Sequence, residues 1–206
     1  MTHNLNGARW LLLSESERED LRHGKEIGAK YKLTKETIKI GERTLYRIEA
    51  FRNIKASGVK DGDKGGFIEG ESNLSHDGDS WVCDNALVFD DALISDNALV
   101  LDSAQVYGRA KVMGDAQVLD NAQVFDDALI SDNALVYGDA RVYGRAKVMD
   151  NAEVYDRAQV YDRAQVYDRA KVCGDAEVCG VVEVYGGVKV SEVTAKHPIF
   201  YRWHQI

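Results

Sequence analysis

Proline is almost missing from this 206-residue chain, with Pro198 its single example, and hydrophobic residues make up 45% of it. That combination excludes a disordered or linker-like polypeptide. Cysteine is scarce too. Cys83, Cys173 and Cys179 do not make a disulfide framework, and Cys173 and Cys179 fall on different faces of the repeat described below. Reduced thiols fit a cytoplasmic location. Long apolar runs are missing: Trp10-Leu11-Leu12-Leu13 is far too short to span a bilayer and lacks the flanks of a secretion signal, so no membrane contact is expected. Positive charge is outweighed, with 26 basic against 34 acidic residues and a formal net charge of -8. Neutralising phosphates takes a basic surface, so direct nucleic-acid binding is not expected. Histidine is confined to His3, His23, His76, His197 and His204, and none lies in the regular tract that dominates the chain.

That tract runs from Ala86 to Val190. A small residue, any residue and a β-branched residue recur every six positions without a break in register, from Ala86-Leu87-Val88 through Ala98-Leu99-Val100 to Ala176-Glu177-Val178. Only Val182 and Val188 replace the alanine. A fixed short period is the mark of a repeat architecture, and small-in, polar-out, valine-in alternation is a strand signal. The chain is therefore expected to be one elongated, mainly β body.

The flanks are less regular. Ser14 and Glu17 make a capping box for a short helix from Glu15 to His23, closing an N-terminal extension over 1–29. Residues 30–63 form a leader: Tyr31-Lys32-Leu33, Thr37-Ile38-Lys39-Ile40, a turn at Gly41-Glu42 and Thr44-Leu45-Tyr46-Arg47-Ile48 read as a β-hairpin covering one end of the repeat. Gly58 to Gly66 reads as a loop. The repeat body spans 64–190, beginning weakly with Gly66-Phe67-Ile68, Ser72-Asn73-Leu74 and Ser80-Trp81-Val82. Leu74 to Val82 is eight residues rather than six, so a two-residue insertion, most simply His76-Asp77, interrupts the early coils. Residues 191–206 break the repeat and read as a C-terminal cap, or as an aromatic contact for a partner through Phe200, Tyr201 and Trp203.

From Tyr31 to Val190 the chain resembles the hexapeptide-repeat, left-handed parallel β-helix proteins, and within them uncharacterised phage and bacterial proteins with a short leader. The resemblance rests on the valine followed four places later by alanine, and on Tyr31-Lys32-Leu33-Thr34, Leu45-Tyr46-Arg47-Ile48, Gly62-Asp63-Lys64-Gly65-Gly66-Phe67-Ile68-Glu69, Asn73-Leu74-Ser75 and Trp81-Val82. It implies a triangular solenoid with three hexads per coil, left-handed, between a small α/β leader and a C-terminal cap. Residues eighteen apart then stack at the strand spacing of about 4.8 Å, and the tract makes about six coils, roughly 29 Å long. Phe89 to Val100 recurs unchanged at Phe125 to Val136, and Tyr107 to Met113 at Tyr143 to Met149, both thirty-six residues on. Thirty-six residues is two coils, which points to duplication of a two-coil block.

Three faces and three corners follow from that stacking. One face carries Phe89, Tyr107, Phe125, Tyr143 and Tyr161, an aromatic ladder that either stabilises the sheet or serves, with Trp81, as a binding platform. A second carries Ser95, Met113, Ser131, Met149 and Tyr167. The third stacks Leu101, Leu119, Tyr137 and Tyr155, with Leu99 and Leu135 also outward, and is expected to expose an apolar patch suited to self-association. The resemblance implies a homotrimer. The corners are rich in Asp and Gly, which tolerate turn geometry, and Asp can hydrogen-bond the following backbone. Asp91, Arg109, Asp127 and Arg145 alternate in sign along one corner, so neighbouring coils can pair charges. Carboxylate ladders can take calcium, but the tract lacks the glycine-rich nonapeptide of calcium-binding β-rolls, and no metal or other cofactor is expected.

Acyltransferases of this fold resemble one another in using a histidine general base near a coil loop. His76 is the one histidine near the coils, with Asp77 and Asp79 to orient it and Trp81 as a stacking surface. Gly62 to Gly70 has neither the spacing nor the following helix of a nucleotide-binding loop. The reading carried forward is a non-catalytic, oligomeric binding or scaffold protein of phage or prophage type, acting in the host cytoplasm. Its specific form is a host-defence antagonist that binds a host protein or a small nucleotide. The alternatives are an acyltransferase-like enzyme centred on His76 and Asp77, and an acidic mimic of DNA.

Overall fold

The computed structural model describes residues 14–15, 18, 28–192 and 194–195, the last two by backbone alone. The chain is a parallel β-solenoid of two-residue strands, which with three longer leader strands gather into three sheets of ten, seven and six strands. One strand per turn in the seven-stranded sheet gives about seven turns, one more than the regular tract alone, because the weak early hexads join in. Pairing is parallel and in register at eighteen residues, as in Gln117↔Leu135 and Val118↔Val136. The early coil pairs Phe67 with Leu87 and bridges Leu74 to Ile94, twenty residues on, whereas Trp81 pairs with Leu99 at eighteen. The two-residue insertion therefore lies between Leu74 and Trp81, where the spacing placed it.

Three walls that each turn a valine inward leave a narrow dry core, and from Val82 to Val178 the inward valines and isoleucines are fully buried. The hexad alanine sits where the wall meets a corner, and Ala86 to Ala176 are 0–1% exposed. There is no room there for a longer side chain, which is why the period admits only small residues until the last coils.

Each corner turns on one residue in the left-handed region. Eleven aspartates do this, with φ from 50° to 62°, and glycines such as Gly108 and Gly144 do it at 71° and 69°. Asp tolerates αL better than most L-residues, so the Asp and Gly columns are a backbone requirement. The carboxylate goes further than a local turn bond. Asp126 Oδ2 accepts the Gly144 N–H at 3.2 Å, Asp120 that of Gly138 at 3.0 Å, and Asp156 that of Gly174 at 3.0 Å, each eighteen residues on. The expected bond to the following backbone is thus replaced by one to the next coil, because at αL the side chain points along the solenoid axis.

The leader forms the expected hairpin. β1 (Tyr31–Ile40) and β2 (Arg43–Ala50) pair antiparallel, and β2 pairs antiparallel with β3 (Lys64–Ile68). β3 then runs parallel to Leu87–Val88, so the hairpin extends the ten-stranded wall of the solenoid. Tyr31, Ile48, Ala50 and Ile54 join the core cluster of the coils and close its end. The loop is shorter than Gly58 to Gly66, because Gly65 and Gly66 are already in β3. A Cβ at these two glycines would lie 2.4 Å from the Val82 carbonyl oxygen and 2.6 Å from that of Ala86, so the Gly-Gly pair permits backbone contact with the first coil. Of the helix expected from Glu15 to His23, Glu15 and Arg18 are helical and the Arg18 N–H donates to Ser14 O at 3.1 Å; residues 16–17 and 19–23 lie outside the described residues. The C-terminal cap also lies largely outside them, apart from the exposed bend Ser191-Glu192 and a strand at Thr194–Ala195 that pairs with Glu177–Val178 and continues the long sheet.

Candidate functional site

The insertion that carries His76 is built into the end of the solenoid. Lys30 is fully buried, and its ammonium donates to Ser80 O at 2.7 Å and Ser80 Oγ at 2.9 Å. Ser80 holds the place of the hexad alanine, so this lysine plugs the first coil. Burial, with Arg52 nearby, pushes the Lys30 amine down to about 8. Its backbone N–H donates to His76 Nδ1 at 3.1 Å, and the imidazole stacks on Tyr31, centroids 4.4 Å apart at 13°. Tyr31 Oη in turn donates to Leu74 O at 2.8 Å.

With Nδ1 accepting, a neutral His76 ring carries its proton on Nε2 and has no free lone pair to take a substrate proton. Asp77 is exposed, and its N–H donates to Ser75 Oγ at 3.0 Å; no hydrogen bond links it to His76 among the described residues. Asp79 pairs with Arg52 at 3.2 Å, and Arg52 also donates to Gly78 O at 2.7 Å. The arrangement clamps leader to coil. Trp81 is 0% exposed, edge-on to Tyr31 at 6.2 Å, with Nε1 lacking an acceptor among the described residues. A buried indole offers no stacking surface, which corrects its placement in a binding platform.

The aromatic ladder forms as the stacking predicted. Phe89, Tyr107, Phe125, Tyr143 and Tyr161 stack with centroids 4.8–5.0 Å apart and planes within 1–4°. Each inner ring presents both faces to its neighbours. Phe89 is closed off by Leu45 and Phe67, over which the Arg47 guanidinium lies at 4.1 Å. The same arginine donates to Glu36 Oε1, Gly65 O and Asp84 O, tying the hairpin to the coil. Ring edges face outward along this wall beside the column Leu87, Gln105, Gln123, Arg141, Gln159 and Glu177.

On the third face Leu101, Leu119, Leu135, Tyr137 and Tyr155 are half-buried, with the two tyrosines stacked at 4.9 Å. Leu99 is 7% exposed, so it is part of the core cluster rather than of an exposed patch. At the strand spacing each side chain is covered above and below by its own column, which leaves less apolar surface than outward positions suggest. Of the alternating corner, one ion pair forms: Arg109 holds both oxygens of Asp127, Nε to Oδ1 at 2.8 Å and Nη2 to Oδ2 at 2.9 Å. Cys83, Cys173 and Cys179 form no disulfide, and the Cys83 thiol is pushed up to about 12 by burial and by Asp84 and Asp102, which keeps it protonated near neutrality. No group of His, Cys, Asp and Glu among the described residues has a metal-binding arrangement, and no described helix is long and apolar enough to cross a membrane.

Residues 92–108 and 128–144 match the family model of the YdcK β-solenoid repeat. The chain is a repeat β-solenoid. The two matches begin thirty-six residues apart, at equivalent places in the duplicated two-coil block. No curated protein matches the chain. Sequence reasoning overlooked Lys30, whose partners lie fifty residues away in a non-periodic leader.

Proposed function

We propose that the protein is a rigid, non-catalytic scaffold or binding rod that associates with copies of itself through the third face. The observation that carries the reading is the uniformity of the coils: from Asp84 to Gly186 each corner turns on a single left-handed Asp or Gly. A site that gathers acid, base and substrate needs side chains converging on one point, and a rod of identical tight turns spreads them apart. The engagement of His76 in the leader clamp speaks against the acyltransferase alternative. The commitment of the corner carboxylates to backbone N–H groups, between glycines and arginines, speaks against a mimic of DNA.

Self-association draws on the aliphatic stretch Leu101, Leu119 and Leu135, flanked by the Tyr137–Tyr155 stack; the trimer and the phage or prophage origin draw on the resemblance stated above. A host-protein or small-nucleotide partner and a cytoplasmic site of action belong to the same proposal. Sedimentation equilibrium tests it: the wild type should sediment as a trimer at micromolar concentration, and Leu119→Asp should shift it toward monomer. A monomeric wild type, or a Leu119→Asp trimer, removes the third-face contact.

A further inference from the structure

The corner that holds Arg109 and Asp127 continues through Arg145 and Arg163 to Val181, one coil apart each time. The duplication supplies an internal comparison. Tyr107 to Met113 is repeated at Tyr143 to Met149, so Arg145 is the counterpart of Arg109. One coil beyond Arg109 stands its acceptor, Asp127; one coil beyond Arg145 stands a second arginine. Like charges in register across a strand spacing of about 4.8 Å repel. Neither guanidinium has an ion-pair partner among the described residues.

The acids nearby are already engaged. Arg109 holds both oxygens of Asp127. Asp126 and Asp162 accept the N–H groups of Gly144 and Gly180 at 3.2 and 3.0 Å. A concavity of about 860 Å³ runs along this corner, opened by the absence of side chains at Gly108, Gly144 and Gly180. It is an open groove rather than an enclosed cavity, with room for a small molecule. At its far end Val181 is 72% exposed, the most exposed large hydrophobic residue described.

We propose that Arg145 and Arg163 bind the phosphoryl group of a small phosphate-bearing molecule in this concavity. A carboxylate has two oxygens, and the Arg109 fork already spans both of those of Asp127. A phosphoryl group has three peripheral oxygens and nearly two charges, so it serves two forks at once and converts their repulsion into charge-assisted hydrogen bonds. Val181 is placed to meet an apolar part of the same ligand. This gives the binding role proposed above a ligand class, and it is independent of self-association, which the Leu119→Asp measurement tests separately.

The test is calorimetric titration of the full chain at low salt with inorganic phosphate and with AMP. Saturable binding at millimolar concentration or below is expected for both; tighter AMP identifies a nucleotide as the source, and equal affinity identifies free phosphate. Arg163→Asp should abolish binding while keeping or raising the melting temperature, because it recreates the Arg109–Asp127 pair one block on. Arg145→Gln should also abolish it. Arg169→Gln, which removes an arginine from another corner, should leave it unchanged. No saturable binding to the wild type, binding that survives Arg163→Asp and Arg145→Gln, or equal loss with Arg169→Gln overturns the assignment.

Discussion

Substitutions at Asp126 separate the two roles of the corner aspartates. The residue holds φ at 59°, and its carboxylate accepts the Gly144 N–H at 3.2 Å. Alanine loses both the tolerance of the left-handed region, about 1 kcal/mol, and a hydrogen bond of about 1 kcal/mol at a solvated corner. Asp126→Ala should therefore cost about 2 kcal/mol. Glycine loses the hydrogen bond and adds freedom to the unfolded chain, but it takes up the backbone conformation without steric cost. Asp126→Gly should cost about 1 kcal/mol. Asn keeps both an acceptor and the αL tolerance, so Asp126→Asn should cost at most about 0.5 kcal/mol. The assay is urea unfolding followed by far-ultraviolet circular dichroism, comparing midpoints only among variants with equal slopes, because repeat arrays need not unfold in one step. The order Ala, Gly, Asn from most to least destabilised is the signature. If Asp126→Gly is as damaging as Asp126→Ala, the backbone requirement is refuted. If Asp126→Ala matches the wild type, both roles are.

Removing the middle of the aromatic ladder should cost more than removing one end of a pair: Phe125 stacks on two rings at 4.9 and 4.8 Å, Tyr167 on Tyr185 alone at 5.2 Å. At about 1 kcal/mol per pair, Phe125→Ala should lose about twice the stacking that Tyr167→Ala does once Tyr167→Phe has set aside the hydrogen bond from Tyr167 Oη to Glu183, and equal stacking losses in denaturant would refute the account. His76→Ala should lower stability by about 1–2 kcal/mol by leaving the Lys30 N–H without its acceptor; an unchanged melting temperature with loss of an acyl-transfer activity would reverse that assignment. Lys30 makes stability depend on pH. Its amine is held near 8 in the folded protein against 10.5 unfolded, so between those values the unfolded chain binds more protons and stability rises with pH. The gain is fully present above 10.5, is lost as pH falls through 8, and amounts to about 3 kcal/mol. Lys30→Met should flatten this rise between pH 8 and 10.5; a slope that persists in the variant assigns it elsewhere.

The periodic part of the chain was legible in the sequence because a fixed spacing converts directly into stacking. A residue every six positions names the wall, and a residue every eighteen names its neighbour in the next coil. The inward Ala and Val sets, the Asp and Gly corners, the five-ring column and the two-residue insertion before Trp81 all follow from counting, and the structure places them accordingly. Counting does not say where a side chain sends its hydrogen bonds. The Asp126 carboxylate reaches the next coil rather than the next residue, and Arg109 finds Asp127 while its counterpart Arg145 meets another arginine.

The aperiodic leader was settled by tertiary structure alone. Lys30 reaches Ser80 across fifty residues and His76 across forty-six, distances for which the sequence carries no rule. Those contacts occupy Nδ1 of the candidate general base and tie it to the leader. Trp81 and Leu99 occupy outward positions of the hexad yet are 0% and 7% exposed. Period determines which way a side chain points, and only the packing of the whole chain determines what covers it.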